Sequence, residues 1–168
     1  PRRQYTTHPG AVPHPAAVAP PHKTRTRSHA AQEASLAAGV QLSQGNVTGG
    51  GYSLFVQDGT LKFAYSLSGA RRTVIAADAP LAAAARQLRA EFRYDGVAGR
   101  DFGKGGSITL FADGARIGAG RLDATIPYLM SLDDMLDVGM DLGGPVSESY
   151  QAQFAYQGRL VQVTVELQ

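Results

Sequence analysis

The chain has 168 residues, 43% of them hydrophobic, which is enough for one domain with a buried core. It contains no cysteine, so disulfides, thiolate metal sites and cysteine nucleophiles are excluded. The formal net charge is +2, and the basic excess lies before residue 30, so we expect no nucleic-acid partner. No apolar run reaches the length of about 18 residues that predicts a membrane span. Twenty glycines and nine prolines indicate many turns, as in a β-rich fold.

Residues 1–29 differ in composition from the rest of the chain. They hold six of the nine prolines and no acidic residue. Proline fixes φ and lacks a backbone donor, so this segment predicts an extended arm or interdomain linker without a helix or a central strand. The domain would then comprise residues 30–168. All four histidines lie in the arm, where no rigid scaffold holds them for zinc, and we expect them to be solvated: His8, His14, His22 and His29.

Several short alternating runs follow the arm. Residues 30–43 are alanine-rich and leave helix and irregular strand both open. Two apolar runs then flank Asp58-Gly59, the pair preferred in a tight type I′ turn, which predicts a hairpin over residues 52–67. Residues 79–85, APLAAAA, precede the next strand, and we interpret them as a loop despite their alanine content.

Four further strands are predicted by the alternation of apolar and polar residues, two of them in one hairpin. Residues 86–94 place Leu88, Ala90, Phe92 and Tyr94 on one face, with two arginines and a glutamate on the other. Residues 107–122 contain a second Asp-Gly turn, at Asp113-Gly114. The last strand, residues 158–168, would direct four apolar side chains inward: Val161, Val163, Val165 and Leu167.

One short helix is predicted over residues 131–139. Ser131 is a suitable N-cap, Asp134 follows three residues later, and Gly139 is suited to end the helix. Six or more short antiparallel strands with evenly spaced turns otherwise indicate an all-β fold. The predicted class is an antiparallel β-sandwich or jelly roll with one short helix and a proline-rich N-terminal arm.

The stretch GRDFGKGGSITLFADGAR, residues 99–116, superficially suggests a phosphate-binding loop. Three residues instead of four separate Gly99 from Gly103, and Lys104 is followed by glycine where a hydroxyl residue is required. An alternating strand follows instead of a helix, so no helix N-terminus is available for a phosphate. We interpret the stretch as a glycine turn leading into a strand, with Lys104 solvated.

Two groups of residues are weak candidates for binding. Asp137 and Asp141 lie in a glycine-rich acidic stretch and have the oxygen chemistry that calcium prefers, but the EF-hand pattern is absent. Acceptance of hydrogen bonds from turn backbone N–H groups is the expected role of both. The tyrosines that sugar stacking would use are Tyr128, Tyr150 and Tyr156, whereas Tyr65 and Tyr94 alternate with core positions.

Taken together, the ordered motifs GGYSLFVQDGTLKFAYS, LRAEFRYDG, GKGGSITLFADGARIGAGR, DVGMDLGGPVSESY and FAYQGRLVQVTVEL resemble the C-terminal region of large bacterial arylsulfatases. The resemblance implies a concanavalin-like β-sandwich that follows a sulfatase catalytic domain. It also implies an alternating strand over residues 30–43, where this chain is alanine-rich, so that strand is expected to be frayed or lost. Formylglycine and calcium belong to the parent catalytic domain. No Cys/Ser-x-Pro-x-Arg motif occurs here, and no catalytic or cofactor-binding residue is carried over.

The expected function is that of an accessory domain that packs on the catalytic domain of an arylsulfatase-like sulfuric ester hydrolase and stabilises it. The chain itself is not expected to be an enzyme. The alternatives are a lectin-like carbohydrate-binding module with a glycan partner and a stand-alone interaction domain, and self-association is a further expectation. The first residue is Pro1, which we interpret as the start of a piece of a longer protein. A soluble chain is expected, with bacterial cytoplasm and periplasm both open.

Overall fold

The computed structural model describes residues 24–30, 38–97, 102–127 and 135–167, with the backbone alone for 24–30 and 167. Within these ranges every regular element is a strand. The ten strands are β1 (Thr24–Ala30), β2 (Gly39–Asn46), β3 (Gly50–Gln57), β4 (Thr60–Leu67), β5 (Arg71–Ala76), β6 (Gln87–Tyr94), β7 (Lys104–Ala112), β8 (Ala115–Ala124), β9 (Leu136–Val138) and β10 (Leu160–Leu167).

The strands form two five-stranded sheets, each with antiparallel pairing throughout. Sheet A has the order β10-β1-β6-β7-β8, and sheet B has the order β5-β4-β3-β2-β9. The fold is therefore the predicted antiparallel β-sandwich of the jelly-roll type.

The main hydrophobic core lies between the inner faces of the two sheets. Sheet B contributes Leu54, Val56, Leu61 and Phe63 among others, and sheet A contributes Leu88, Ala90, Ile108, Leu110 and Leu122. Alternate residues of each strand point to one face of a sheet, which is why these side chains share one layer. Burial of large apolar side chains contributes about 1.5–3 kcal/mol each relative to exposure, so this layer is the main source of stability.

Both predicted Asp-Gly hairpins are confirmed. Asp58 and Gly59 have φ of 52° and 69°, and Asp113 and Gly114 have φ of 48° and 84°. These left-handed values are the ones that a type I′ turn requires at its two central positions. The first turn joins β3 to β4 and the second joins β7 to β8.

The alternation predicted for residues 86–94 is also found. Leu88, Ala90 and Tyr94 are buried in β6, and Phe92 packs against the core. The prediction for β10 is wrong at its start, because Val161 is 53% exposed, although Val163 is buried. A register shift between His29 and Ala30 of β1 leaves Val161 without a partner in the β1–β10 ladder, so the strand is irregular where burial fails.

The proline-rich segment was predicted to contribute no central strand, and this is wrong for its last residues. Strand β1 lies between β10 and β6 in sheet A, with Arg27 opposite both Thr164 and Arg89. The last proline of the segment is Pro21, so residues 24–30 retain every backbone donor and can form ladders on both sides. Residues 1–23 lie outside the described part of the chain.

The short helix predicted over residues 131–139 is not found where the structure describes that segment. Leu136–Val138 is strand β9, which pairs with β2, and Gly139 follows it with φ of 82°. The cap pattern is local, whereas the free edge of β2 offers backbone hydrogen bonds that a helix would forgo. Residues 131–134 lie outside the described residues.

The ambiguity over residues 30–43 is resolved for the described part. Strand β2 begins at Gly39, and Val40 and Leu42 are fully buried, so this strand is not lost. A register shift between Val40 and Leu42 interrupts simple alternation, which explains the weak pattern in the sequence.

The glycine-rich stretch leads into a strand, as predicted. Gly103 has φ of 69°, and Lys104 is the exposed first residue of β7. The Lys104 backbone N–H donates to the Tyr94 hydroxyl at 3.0 Å, which fixes the start of the strand against the end of β6. Residues 98–101 lie outside the described residues.

Candidate functional site

The middle of the outer face of sheet B is covered by residues 139–158, which we call the cover segment. A second hydrophobic cluster joins Val40, Phe55 and Ala64 of the sheet to Val146 and Tyr150 of the cover segment, with Phe154 packed against it. Hydrogen bonds hold the segment in place: the Val40 N–H donates to the Phe154 carbonyl at 2.9 Å, and Val47 N–H donates to the Pro145 carbonyl at 3.0 Å. The chain thus occupies the middle of this face itself.

Tyr150 is the centre of this second cluster. Its ring lies 4.9 Å from Phe55, edge to face, and 5.6 Å from Phe154, stacked, and the residue is only 7% exposed. The hydroxyl donates to the Asp141 carboxylate at 2.6 Å. Burial, followed by this carboxylate, raises the pKa of Tyr150 well above its usual value. A ring enclosed in this way presents no open face on which a sugar can stack.

The other tyrosines predicted for sugar contact are placed differently. Tyr156 is half-buried on the cover segment, and burial raises the pKa of its hydroxyl while a hydrogen bond with Gln41 lowers it. Tyr128 lies outside the described residues. Tyr65 and Tyr94 are core residues, as their alternation indicated. Sugar contact by Tyr156 therefore stays a prediction.

The two candidate metal ligands serve the cover segment. An Asp137 carboxylate oxygen accepts from the Leu142 N–H at 2.7 Å, which is the turn role expected for it. Asp141 is 1% exposed and accepts from Tyr150 instead of forming an open oxygen site. Across the described ranges, no group of three or more His, Cys, Asp or Glu side chains is arranged to hold a metal ion.

The outer face of sheet A has a different character, because polar and charged side chains from β6, β7 and β8 point away from the core there. Register sets their neighbours, since Arg93 pairs with Ser107 and Ser107 with Arg121. Four residues further along β6 and β7, and five along β8, Arg89 pairs with Phe111 and Phe111 pairs with Arg116. We call this surface the arginine face; its members are Arg89, Arg93, Ser107, Thr109, Phe111, Arg116, Ala119 and Arg121.

Contacts within the arginine face order some of its side chains. The Arg89 guanidinium lies 3.7 Å from the centre of the Phe111 ring and pairs with Glu91. The side chain of Arg89 is only 11% exposed, so this cation–π contact is partly shielded from water and holds both groups in place. Arg121 pairs with Asp95, but both side chains are well exposed, and such a pair contributes little to stability.

Arg93 and Arg116 are both exposed, and neither has a carboxylate partner among the described residues. Between them lie small or hydroxyl-bearing residues: Ser107 and Thr109 on β7 and exposed Ala119 on β8. The face therefore combines guanidinium donors, hydroxyls that donate and accept, and an edge of aromatic surface. These groups can bind a polar or anionic ligand that lies flat on the sheet.

Sequence alternation identified Arg89, Glu91 and Arg93 as a solvated row but not as part of a site. Phe111, Arg116 and Arg121 join that row only through the register of β7 and β8, including a shift between Leu110 and Phe111.

The described residues include no helix long and apolar enough to cross a membrane.

Structural comparison relates this sandwich to domains of known structure. The CBM40 domain of the Ruminococcus gnavus IT-sialidase, bound to α2,3-sialyllactose, is similar at a TM-score of 0.50 and 16% identity, over 89% of this chain and 79% of that one. Mouse laminin α1 domains LG4-5 match at a TM-score of 0.52 and 15% identity, over 96% of this chain. The match covers 47% of the laminin fragment, so this chain spans about half of it.

A third similar structure is a leech intramolecular trans-sialidase, at a TM-score of 0.50 and 12% identity, over 86% of this chain and 21% of that enzyme. No protein-family model matches the sequence, and no curated protein matches it. At these identities the similarity establishes the β-sandwich fold and nothing finer.

Proposed function

We propose that this chain is a noncatalytic carbohydrate-binding module whose binding surface is the arginine face of sheet A. The observation that carries the proposal is the contrast between the two outer faces. The cover segment occupies the centre of sheet B with Val146 and Tyr150, whereas Arg93, Ala119 and Arg121 of sheet A are exposed.

The chemistry of the arginine face suits a sugar. Ser107 and Thr109 provide hydroxyls that can donate and accept, and the guanidinium groups provide several donors in a fixed plane. Arg89 is already held by Phe111 and Glu91, so little side-chain entropy is lost when a ligand contacts it. The fold supports the proposal, since one similar domain is a CBM40 solved with sialyllactose.

The proposal is tested with a panel of neutral and acidic oligosaccharides, by calorimetry on the full chain and on two matched variants. Ala119→Glu places bulk and negative charge on the arginine face, and we expect it to lower affinity at least tenfold. Ala76→Glu makes the same change on the exposed edge strand β5 of sheet B, and affinity should be unchanged. Absence of saturable binding across the panel, or equal binding by the Ala119→Glu variant, would contradict the proposal.

The resemblance to arylsulfatases leads to a separate proposal, that the chain is an accessory domain beside a sulfatase catalytic domain. The comparisons add no support for a sulfatase. The two proposals are compatible, because a glycan-binding module can lie next to a hydrolase domain in one polypeptide. Turnover of an aryl sulfate by this chain alone, with calcium present, would contradict the noncatalytic role that both proposals share.

A further inference from the structure

On the arginine face, Arg93 and Arg116 are exposed and have no carboxylate partner among the described residues, and they stand at opposite corners. Arg93 is on β6, beside Ser107, and Arg116 is on β8, beside Phe111. They are separated by two strand spacings of about 4.8 Å each and by four residues of about 3.3 Å each. The diagonal is therefore roughly 16 Å by sheet geometry.

A separation of this size limits the ligand. The diagonal joins the Cα atoms of Arg93 and Arg116 and is longer than one sugar ring, so the two arginines are placed to contact different sugars of one chain. The row between them contains Thr109, Ala119 and the Arg89-paired Glu91, so it offers no unpaired guanidinium within the described residues. A chain that carries acidic groups on separate sugars can therefore use both corners together.

The arginines also favour anionic groups over neutral ones. Guanidinium binds carboxylate and sulfate through paired, charge-assisted hydrogen bonds, which are about twice as strong as neutral ones. The face has four arginines among its described residues, and the neighbouring carboxylates Glu91 and Asp95 pair with Arg89 and Arg121, which leaves an excess of two positive charges in this described set.

We propose that the arginine face binds a linear polyanionic glycan, with sulfate or carboxylate groups on successive units, that spans the diagonal from Arg93 to Arg116. This inference rests on the proposed function, since it names the ligand class of the same site. Each corner holds one acidic group, and the hydroxyls of Ser107 and Thr109 lie beneath the sugars between them. Affinity then depends on chain length.

The test uses chondroitin sulfate oligosaccharides of two, four, six and eight sugars, and their chemically desulfated forms, with the full chain. We expect affinity to rise at least tenfold from the disaccharide to the octasaccharide and to fall steeply with salt, because separated charges are screened. Arg93→Gln and Arg116→Gln should each lower octasaccharide affinity several-fold, and the double variant should bind the octasaccharide no better than the disaccharide. The matched control is Arg72→Gln on strand β5 of sheet B. This change breaks an exposed pair with Glu148 of the cover segment, and the variant should bind the octasaccharide normally.

The outcomes separate the two proposals. If neutral oligosaccharides bind as tightly as sulfated ones, and the Ala119→Glu variant loses this affinity, the polyanion inference is overturned and carbohydrate binding by the arginine face is retained. Equal affinity for two and eight sugars, or an arginine variant without effect, would also overturn the inference. Binding to single-stranded DNA of matched charge that equals octasaccharide binding would assign the face to polyanions in general and overturn the choice of glycan. Absence of binding to any glycan would overturn both proposals.

Discussion

The Tyr150 hydroxyl donates to the carboxylate of Asp141 at 2.6 Å beside the second hydrophobic cluster. This hydrogen bond connects two parts of the cover segment on the outer face of sheet B. The same hydroxyl accepts from the Val146 N–H at 3.3 Å. Two turns of the segment are thereby joined through one side chain.

We expect Tyr150→Phe to destabilise the fold by about 1–3 kcal/mol, because a buried carboxylate loses a donor while the ring packing is kept. The measurement is urea denaturation of the full chain. Tyr156→Phe is the control, and its half-buried hydroxyl should cost less. A Tyr150→Phe chain as stable as the original would show that the bond does not hold the segment.

Stability should fall as pH rises above 10. Burial raises the pKa of Tyr52 and of Tyr65 to about 12, and it raises that of Tyr150 further. A raised folded-state pKa gives stability that is complete below the unfolded value of about 10 and is lost as pH rises through the folded value. Each tyrosine contributes on the order of 2–3 kcal/mol to this loss by pH 12.

The measurement is denaturant unfolding at pH 8, 10 and 11, followed with tyrosinate absorbance. The absorbance of the buried tyrosines should appear together with unfolding and not before it. In the Tyr65→Phe variant, the free energy of unfolding should fall less between pH 8 and pH 11, by the contribution of one tyrosine. Tyrosinate formation near pH 10 in the folded chain, for all tyrosines at once, would contradict this prediction.

The two Asp-Gly turns provide a matched pair for a third prediction. Both aspartates have positive φ, but only the Asp113 carboxylate crosses to a neighbouring strand, where it accepts from Arg86 N–H at 3.0 Å and Gln87 N–H at 2.8 Å. Asp113→Ala therefore loses turn preference and two backbone partners, whereas Asp58→Ala loses the turn preference alone.

We expect Asp113→Ala to cost about 1–2 kcal/mol more than Asp58→Ala, one increment for each charge-assisted bond, in thermal or urea unfolding. Equal losses in the two variants would show that the crossing bonds contribute nothing.

The close approach of the sheets at one side of the sandwich gives a fourth prediction. A side chain at Gly118 of β8 would meet the Ala76 backbone oxygen of β5 at 2.8 Å, and a backbone atom cannot move aside cheaply. We expect Gly118→Val to destabilise the chain by several kcal/mol or to prevent folding, by the cost of overpacking. Ala119→Val, one residue further on the exposed face, should be tolerated in the same unfolding measurement. A stable Gly118→Val chain would contradict the packing.

Much of the fold was predictable from the sequence because the strongest signals are local. The Asp58-Gly59 and Asp113-Gly114 pairs fix their turns through backbone preference, and β6 shows its buried face by alternation. Strands β1 and β9 were missed because their stability comes from partners distant in the sequence. Strand β5 was also missed, because Ile75 is its only buried residue and the strand shows no alternation. No pattern within residues 24–30 indicates that β6 and β10 will lie on either side of them.

The candidate site was less predictable for the same reason. Tyr150 was a candidate for sugar contact because no alternation places it in the core, but the cover segment folds onto sheet B and encloses the ring. Arg116 and Phe111 become neighbours only after the register shift near Leu110 is known. Residues that become neighbours through the register between strands cannot be recognised from the sequence of any one strand.

The pairing of β1 with β10 joins the first and last strands of the described chain, and β1 also borders β6. Contacts between such distant segments carry a large loop-closure cost and slow folding. During synthesis, β1 acquires its second neighbour only after β10 has left the ribosome, and until then one of its edges is open to other chains. Self-association during folding is therefore expected to fall sharply once β10 is complete.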